Sequence, residues 1–422
     1  MLLAVALLPL IKPSSAQPAV RYAATAALWD DRSLVLDDYP ITVTDRIVRG
    51  GHVYSDKAPG QAFLMVPFYA AYRAVGGDPA RHARETGDLG LWWMVIWMST
   101  VPLLAICVLV FRRAEEVALA AAPWAAGATC AGTLLLPFAT ELYGHVLAAG
   151  LLFGAWCWLR PAAIHRRPVL AGLLGGAAVA VEYPSVLLLA VMGIALLARR
   201  EITVAVRFAV GGLPGVALLL WYQAVAFGDA LSISYSNKDA GSTDGIPRPR
   251  HLAQIFFGSR GVAIFTPIVL LSLWGTWRLA RRHGPLQLDA RVALGCFAAV
   301  LWLQASWVNP WGGEMPGPRY LIPSLPFLAV GAAQAWTEHR WLFNRLLVLS
   351  CLAMALPTIA YHLVPQGGQV MVSQVRHIRD GLLAESVFTL GLGGWGWVVH
   401  LLLVVLAFGA LRRSVQSQAT PA

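Results

Sequence analysis

The residues Gly50-Gly51-His52-Val53-Tyr54-Ser55-Asp56-Lys57-Ala58-Pro59-Gly60 set an imidazole, a phenol, a carboxylate and an ammonium between His52 and Lys57. A Pro-Gly pair, which reads as a tight turn, then stops the run. Charged knots are ordinary on soluble surfaces. Here, however, 58% of the residues are hydrophobic and only 13% are charged, so a dense polar knot is unusual. Its bland reading is a solvated loop between membrane spans. An amphipathic run, Gln61 to Val75, follows at once and carries Phe63, Leu64, Val66, Pro67, Phe68, Ala71 and Tyr72. That pattern predicts a helix over 61–75 lying at the membrane surface, inside a long polar segment, 12–88.

Outward from this stretch the chain is apolar. Seventeen Trp and long hydrophobic runs indicate an all-α polytopic membrane protein. Met1 to Ile11 is shorter than the roughly 20 residues a span needs and lacks a basic leader. It reads as a first span with a shortened start. Further candidate spans are 89–111, 117–138, 146–164, 169–182, 183–198, 205–226, 261–280, 290–308, 320–336, 344–363 and 386–410, about 12 in all. The break inside 169–198 is placed at Glu182-Tyr183-Pro184, a carboxylate and a helix breaker at mid-run.

Charge supports the alternation. With the amino terminus in the cytoplasm, Arg112-Arg113, Arg166-Arg167, Arg199-Arg200, Arg281-Arg282, Arg340 with Arg345, and Arg412-Arg413 all fall on the cytoplasmic side. The longer loops 12–88, 227–260, 309–319 and 364–385 fall outside. Of 22 Asp and Glu, only Glu115, Glu116, Glu201, Asp289 and Glu338 face the cytoplasm. Carboxylate chemistry is therefore expected outside. The five cysteines lie in apolar runs without metal-type spacing, and no basic stripe with interleaved aromatics suggests nucleic acid. Phosphate-loop, dinucleotide, zinc-protease and nucleophile-elbow motifs are missing. An outward-facing enzyme would need a donor already carried across the membrane, and a lipid-linked phosphosugar meets that need.

Candidate residues cluster at the outer ends of spans. In the first loop Asp30, Asp31, Asp37 and Asp38 read as caps and turns, whereas Asp45 and Asp56 beside Lys57 suit deprotonating a hydroxyl while a phosphate leaves. His145 closes the run Glu141-Leu142-Tyr143-Gly144-His145, and Glu182-Tyr183, Tyr235 and Trp311 to Tyr320 are further polar ends. A lone helix-end histidine is more often a packing residue. Arg260 and Arg319 follow small turn-forming residues and are the anion candidates, with headgroup snorkelling as the plainer role.

The run His52 to Gly60 resembles the Glu/Asp-Lys-Pro-Pro type motif of integral-membrane GT-C glycosyltransferases. These include the bacterial aminoarabinose transferases and protein O-mannosyltransferases, which use polyprenyl-phosphate sugars. Arg21-Tyr22, then Asp31-Arg32-Ser33-Leu34, then the quoted stretch follow the order of that family's first loop. Phe257-Gly258-Ser259-Arg260-Gly261 and the segment Trp311 to Pro323 look like later motifs of its bacterial branch. The resemblance implies a GT-C type fold in the cell (inner) membrane, multi-pass, with extracytoplasmic catalytic loops in a single domain and spans over 89–410. It implies a carboxylate base toward the acceptor and basic residues on the lipid phosphate. By position Asp56 and Lys57 take the acid–lysine places. Family members often carry an acid before the Arg-Tyr pair, but residues 16–20 here have none. That leaves Asp45, Asp56 or no base at all.

The expected activity is inverting transfer of a sugar from a polyprenyl-phosphate donor to a lipid, glycan or protein acceptor. Asp45 or Asp56 is the base, with Asp45 favoured because lysine beside Asp56 makes that carboxylate a weaker one. Asp45 is pictured swinging on a Gly50-Gly51 hinge. Lys57, Arg260 and Arg319 bind phosphate. His145, Glu182 and Tyr235 shape the sugar pocket, with His52, Tyr54, Tyr183 and Tyr320 as further substrate contacts. No cofactor is required by the motifs, and a divalent metal is left open. The rivals are a transporter or flippase of a lipid-linked anion and a non-catalytic scaffold. A transporter should show mid-span charges and repeat symmetry, and neither is evident.

Overall fold

In an apolar medium each backbone group needs a partner within its own segment, so hydrophobic runs of this length fold as helices. The computed structural model of the protein describes residues 1–41, 45–82, 88–163, 165–232, 243–365 and 367–419. Helix occurs in each of the span segments read from the sequence. By length and composition, however, only Leu89–Glu115, Ile202–Phe227, Gln287–Ser306 and Arg340–Ile359 qualify as crossings among the described residues. A fifth is a broken pair, Pro249–Phe265 with Pro267–Arg281, bent by 98°. Helix length therefore supports four or five crossings, not about twelve. The remaining apolar runs form shorter helices, Gly144–Leu159, Pro168–Val181 and Ser185–Ala198 among them. Prolines contribute to the shortening: Pro318, Pro323 and Pro326 accompany a ten-residue 3₁₀ stretch, Arg319–Leu328, where an α-helix would lose its hydrogen bonds.

Small residues let the helices meet backbone to backbone. A Cβ on Gly172 would lie 2.0 Å from the Phe208 carbonyl oxygen, and one on Gly215 would lie 2.1 Å from Gly176. The Pro168–Val181 and Ile202–Phe227 helices thus pack through a small-residue seam, the mode of association that apolar surroundings favour. The main core is centred on Leu103, Leu152, Trp156, Val300 and Ile322, all essentially solvent-free.

Two small antiparallel pairs complete the fold. Arg46–Arg49 pairs with His52–Ser55. Leu10–Ile11 pairs with Glu385–Ser386, in register Leu10 with Ser386 and Ile11 with Glu385. The short helix Leu2–Leu7 packs on the helix Trp395–Ala419. The first loop also holds a helix that its polarity concealed, Ala16–Ala26. Its polar residues Gln17, Arg21 and Thr25 are all buried, so the polar stripe faces inward.

Candidate active site

The site begins at the hairpin. Gly50 and Gly51 have φ of +58° and +85°, the left-handed values that a two-residue turn requires at both positions. They are therefore a fixed turn and not the swinging hinge expected. Register pairs Arg46 with Ser55, so the strand ends bring Asp45 beside Asp56, with the Asp56 amide 3.5 Å from the Asp45 carbonyl oxygen. Lys57 is clamped between them. Its Nζ lies 2.7 Å from Asp45 Oδ1 and 3.1 and 3.2 Å from the two Asp56 oxygens. Lys57 and Asp56 are fully buried, while the Asp45 carboxylate keeps 17% of its exposure. Two carboxylates on one ammonium keep it aimed, at the cost of occupying it.

Pro59 and Gly60 do not end the segment. They start the helix Gly60–Ala74. Glycine is needed there, since a Cβ would come within 2.6 Å of the Ala180 backbone. This contact seats the helix start against the Glu182 break. Glu182 lies where Pro168–Val181 gives way to Ser185–Ala198, at the helix-breaking Pro184. Arg21 reaches it from the inward stripe of Ala16–Ala26, donating Nη2 to Glu182 Oε1 at 2.6 Å and Nη1 to Gln61 Oε1 at 2.7 Å. A Cβ on Gly144 would lie 2.3 Å from Glu182 Oε1, so the next helix also begins against this carboxylate.

His145, the second residue of Gly144–Leu159, places Nδ1 3.9 Å from Glu182 Oε2. Its ring lies nearly parallel to Tyr143, 6.2 Å between centroids, and edge-on to Tyr320 at 5.9 Å. Nε2 is buried and has no hydrogen-bond partner among the described residues. Arg319 lies over the Tyr320 ring, 5.2 Å from its centroid. The charges of Arg21, Arg319 and Lys57 all bear on Glu182. A crevice of about 20 Å³, room for one water, opens beside Lys57 among Arg21, Leu34, Ser55, Phe63 and Tyr222.

Thus Asp45, Asp56, Lys57, His145, Glu182, Arg319 and Tyr320 come together. Other expected residues do not. His52 lies at the far end of the hairpin, exposed, with Nδ1 2.8 Å from Asp37 Oδ2. Tyr54 packs on the Tyr222, Ala226 and Phe227 cluster, and Tyr183 on Ala58, Val179 and Leu219. Tyr235 lies outside the described residues. Arg260 is corrected outright. Its guanidinium donates to the carbonyl oxygens of Met315 (2.8 Å), Val364 (3.1 Å), Gly368 (3.1 Å) and Pro365, so it ties two loops together and has little left for a phosphate. Among the described residues no group of three His, Cys, Asp or Glu is set to hold a metal ion.

Behind the site is a second buried cluster. Lys12 Nζ lies 3.1 Å from Glu141 Oε1 and donates to the Pro357 carbonyl oxygen at 2.7 Å. His362 Nδ1 lies 2.7 Å from Glu141, and its Nε2 lies 3.1 Å from the Tyr143 hydroxyl. With Nδ1 turned to a carboxylate, Nε2 is left to accept from Tyr143. Tyr143 thereby joins this cluster to His145. One signal was available: the chain has only three lysines against 29 arginines, and Lys12 and Lys57 are two of them.

The sequence matches no protein-family model and no curated protein. The fold is shared with two crystal structures of ArnT from Cupriavidus metallidurans, one bound to undecaprenyl phosphate and one in the apo state. Each aligns with a TM-score of 0.55 at 16% identity, over 87% of this chain. The alignment covers 65% of the ArnT chain, so this protein spans less than two thirds of it. Over the aligned region the chain therefore has the fold of ArnT.

Proposed function

We propose that the protein is a GT-C glycosyltransferase of the inner membrane that moves a sugar from a polyprenyl-phosphate donor to an acceptor hydroxyl on the extracytoplasmic side. The observation that carries the reading is the Asp45–Lys57–Asp56 clamp, in a fold shared with a protein crystallised with undecaprenyl phosphate. Arg319 and the Glu182–His145 pair line the same place.

The clamp suggests how donor and base are coupled. Asp56 is fully buried and holds Lys57 through both oxygens, so it orients the ammonium. Asp45 is the more exposed partner and the one a donor phosphate displaces. Lys57 then binds phosphate with Arg319, and the released Asp45 carboxylate faces the acceptor. The acceptor oxygen bonds to the anomeric carbon as the carbon–phosphate-oxygen bond breaks, with inversion. The hydroxyl proton goes to Asp45, and the electron pair leaves on polyprenyl phosphate, stabilised by Lys57 and Arg319. Glu182 and His145 bound the sugar.

Binding of undecaprenyl phosphate and turnover of a polyprenyl-phosphate sugar test this in one variant set. Lys57→Ala should weaken phosphate binding by about 1.5–3 kcal/mol. Asp45→Asn removes the competitor for Lys57, so binding should hold or tighten while turnover falls about 10²–10⁴-fold. Wild-type turnover in Asp45→Asn, or binding lost as in Lys57→Ala, overturns the assignment of the base.

A further inference from the structure

A second site lies at the other end of the same helices. Ser185–Ala198 starts beside Glu182 and runs 14 residues, roughly 20 Å, to Arg199. There it faces the first turns of Gln287–Ser306, running antiparallel to it. The two helices touch where a Cβ on Gly295 would come within 2.9 Å of the Val191 side chain. Toward Arg199 the small side chains of Ala195 and Ala198 leave a gap against Leu288 and Val292. The groove left between them has a volume of about 390 Å³, many times that of the crevice beside Lys57. Its walls are aliphatic and its mouth carries Arg199 and Arg291.

The charges at that mouth are unbalanced. Arg199 uses Nε on Glu201 Oε1 at 3.0 Å, but the other Glu201 oxygen is held by Arg166 at 2.6 Å. One carboxylate thus serves two arginines. Arg291 has no carboxylate partner among the described residues: its Nε donates to the Ala280 carbonyl oxygen at 3.3 Å. Gln287 shares that carbonyl at 3.4 Å. Asp289, the nearest acid on this helix, turns away, accepting from Trp156 Nε1 at 2.8 Å and facing Arg113 and Arg160. An apolar trough closed by surplus guanidinium matches a molecule with an anionic head and a hydrocarbon tail.

We propose that this groove binds an anionic glycerophospholipid, its phosphate between Arg199 and Arg291 and one acyl chain along Ile194, Ala195, Leu288 and Val292. Guanidinium grips phosphate oxygens through paired donors, and a basic pocket between apolar helices selects charged over neutral headgroups. An ordinary boundary lipid explains the apolar walls and the cytoplasmic charge bias explains Arg199, but neither explains Arg291 at the same mouth with no carboxylate among the described residues. The site lies a full helix length from Lys57 and owes nothing to the reading of the active site.

The test is native mass spectrometry of the full chain, purified in detergent, delipidated, and titrated with phosphatidylglycerol, phosphatidylcholine, undecaprenyl phosphate or inorganic phosphate. Phosphatidylglycerol should be retained over phosphatidylcholine by on the order of tenfold. Arg199→Gln with Arg291→Gln should abolish that preference, and Arg199→Lys with Arg291→Lys, which keeps the charge but loses the paired donors, should keep only part of it. Ala195→Phe should lower retention with both arginines intact, because it fills the trough. Equal retention of the two glycerophospholipids by the unaltered protein overturns the proposal, and this comparison needs no variant to fold. Binding of inorganic phosphate alone, retention of undecaprenyl phosphate that depends on Arg199 and Arg291 while that of phosphatidylglycerol does not, or phosphatidylglycerol retention unchanged in Ala195→Phe each overturn it as well.

Discussion

Replacing Arg21 with methionine keeps the aliphatic stem and removes the charge facing Glu182. Arg21 is 3% and Glu182 7% exposed, and they meet at 2.6 Å. Removing one partner of such a buried pair costs about 3–5 kcal/mol, since the other charge stays buried. The lower end applies here, because Lys57 and Arg319 still bear on Glu182. With an unfolding entropy scaled to 422 residues, roughly 0.9 kcal/mol/K, about 3 kcal/mol lowers the melting temperature by about 3 °C. The seventeen tryptophans provide the fluorescence readout in detergent, with all variants compared at one scan rate so that any kinetic contribution is common to them. Adding Glu182→Gln to Arg21→Met removes the stranded charge and should recover at least half of the loss. A drop under about 1 °C in Arg21→Met, or losses that simply add in the double variant, would refute the claim that this pair holds the first-loop helix to the Glu182 break.

Two further outcomes separate the scaffold from the site. Arg260→Ala should speed amide exchange in 314–318 and 364–370 by about tenfold or more, from the loss of hydrogen bonds to a charged group, while undecaprenyl phosphate binding stays intact. Weaker lipid binding without faster exchange would return Arg260 to the phosphate. Burial pushes the Glu141 carboxyl up, but His362 and Lys12 beside it outweigh that and hold it below its ordinary 4.5. Such a group stabilises the fold above the unfolded-state value and loses its effect as pH falls through the lower folded one. Stability should therefore fall off below about pH 4.5. Glu141→Gln should be less stable at pH 7 and show a flatter acid limb, and identical acid limbs would remove Glu141 from the account.

What could be read in advance follows from which forces are local. Hydrophobic runs mark helices because backbone pairing is local, and the Glu182-Tyr183-Pro184 break lies where a proline ends one helix and a second begins. Crossing counts are less legible, since a hydropathy window sums across interruptions that the backbone cannot ignore. The helix Ala16–Ala26 escaped because Gln17, Arg21 and Thr25 recur at i, i+4 and i+8, as on a solvated face. Here that face is the buried one, turned toward the site. Gly50-Gly51 reads as flexible in isolation and becomes rigid only through the strand pairing on either side. The partners of Arg260 lie 55 to 108 residues away, beyond any local pattern.

The strand Leu10–Ile11 has a partner near the other end of the chain. During synthesis residue 10 must wait for residue 386, an interval of roughly 20–75 s at about 5–20 residues per second. Lys12 waits nearly as long for the Pro357 carbonyl and for His362 behind Glu141. The cluster supporting Tyr143 therefore closes among the last events of biogenesis. A ribosome that stalls or terminates before residue 357 leaves a chain whose helices can form and whose Lys12 and Glu141 can meet, but which lacks the Pro357 carbonyl and His362 that complete the cluster. Quality control that senses a half-satisfied buried ion pair near the membrane has that whole interval in which to act.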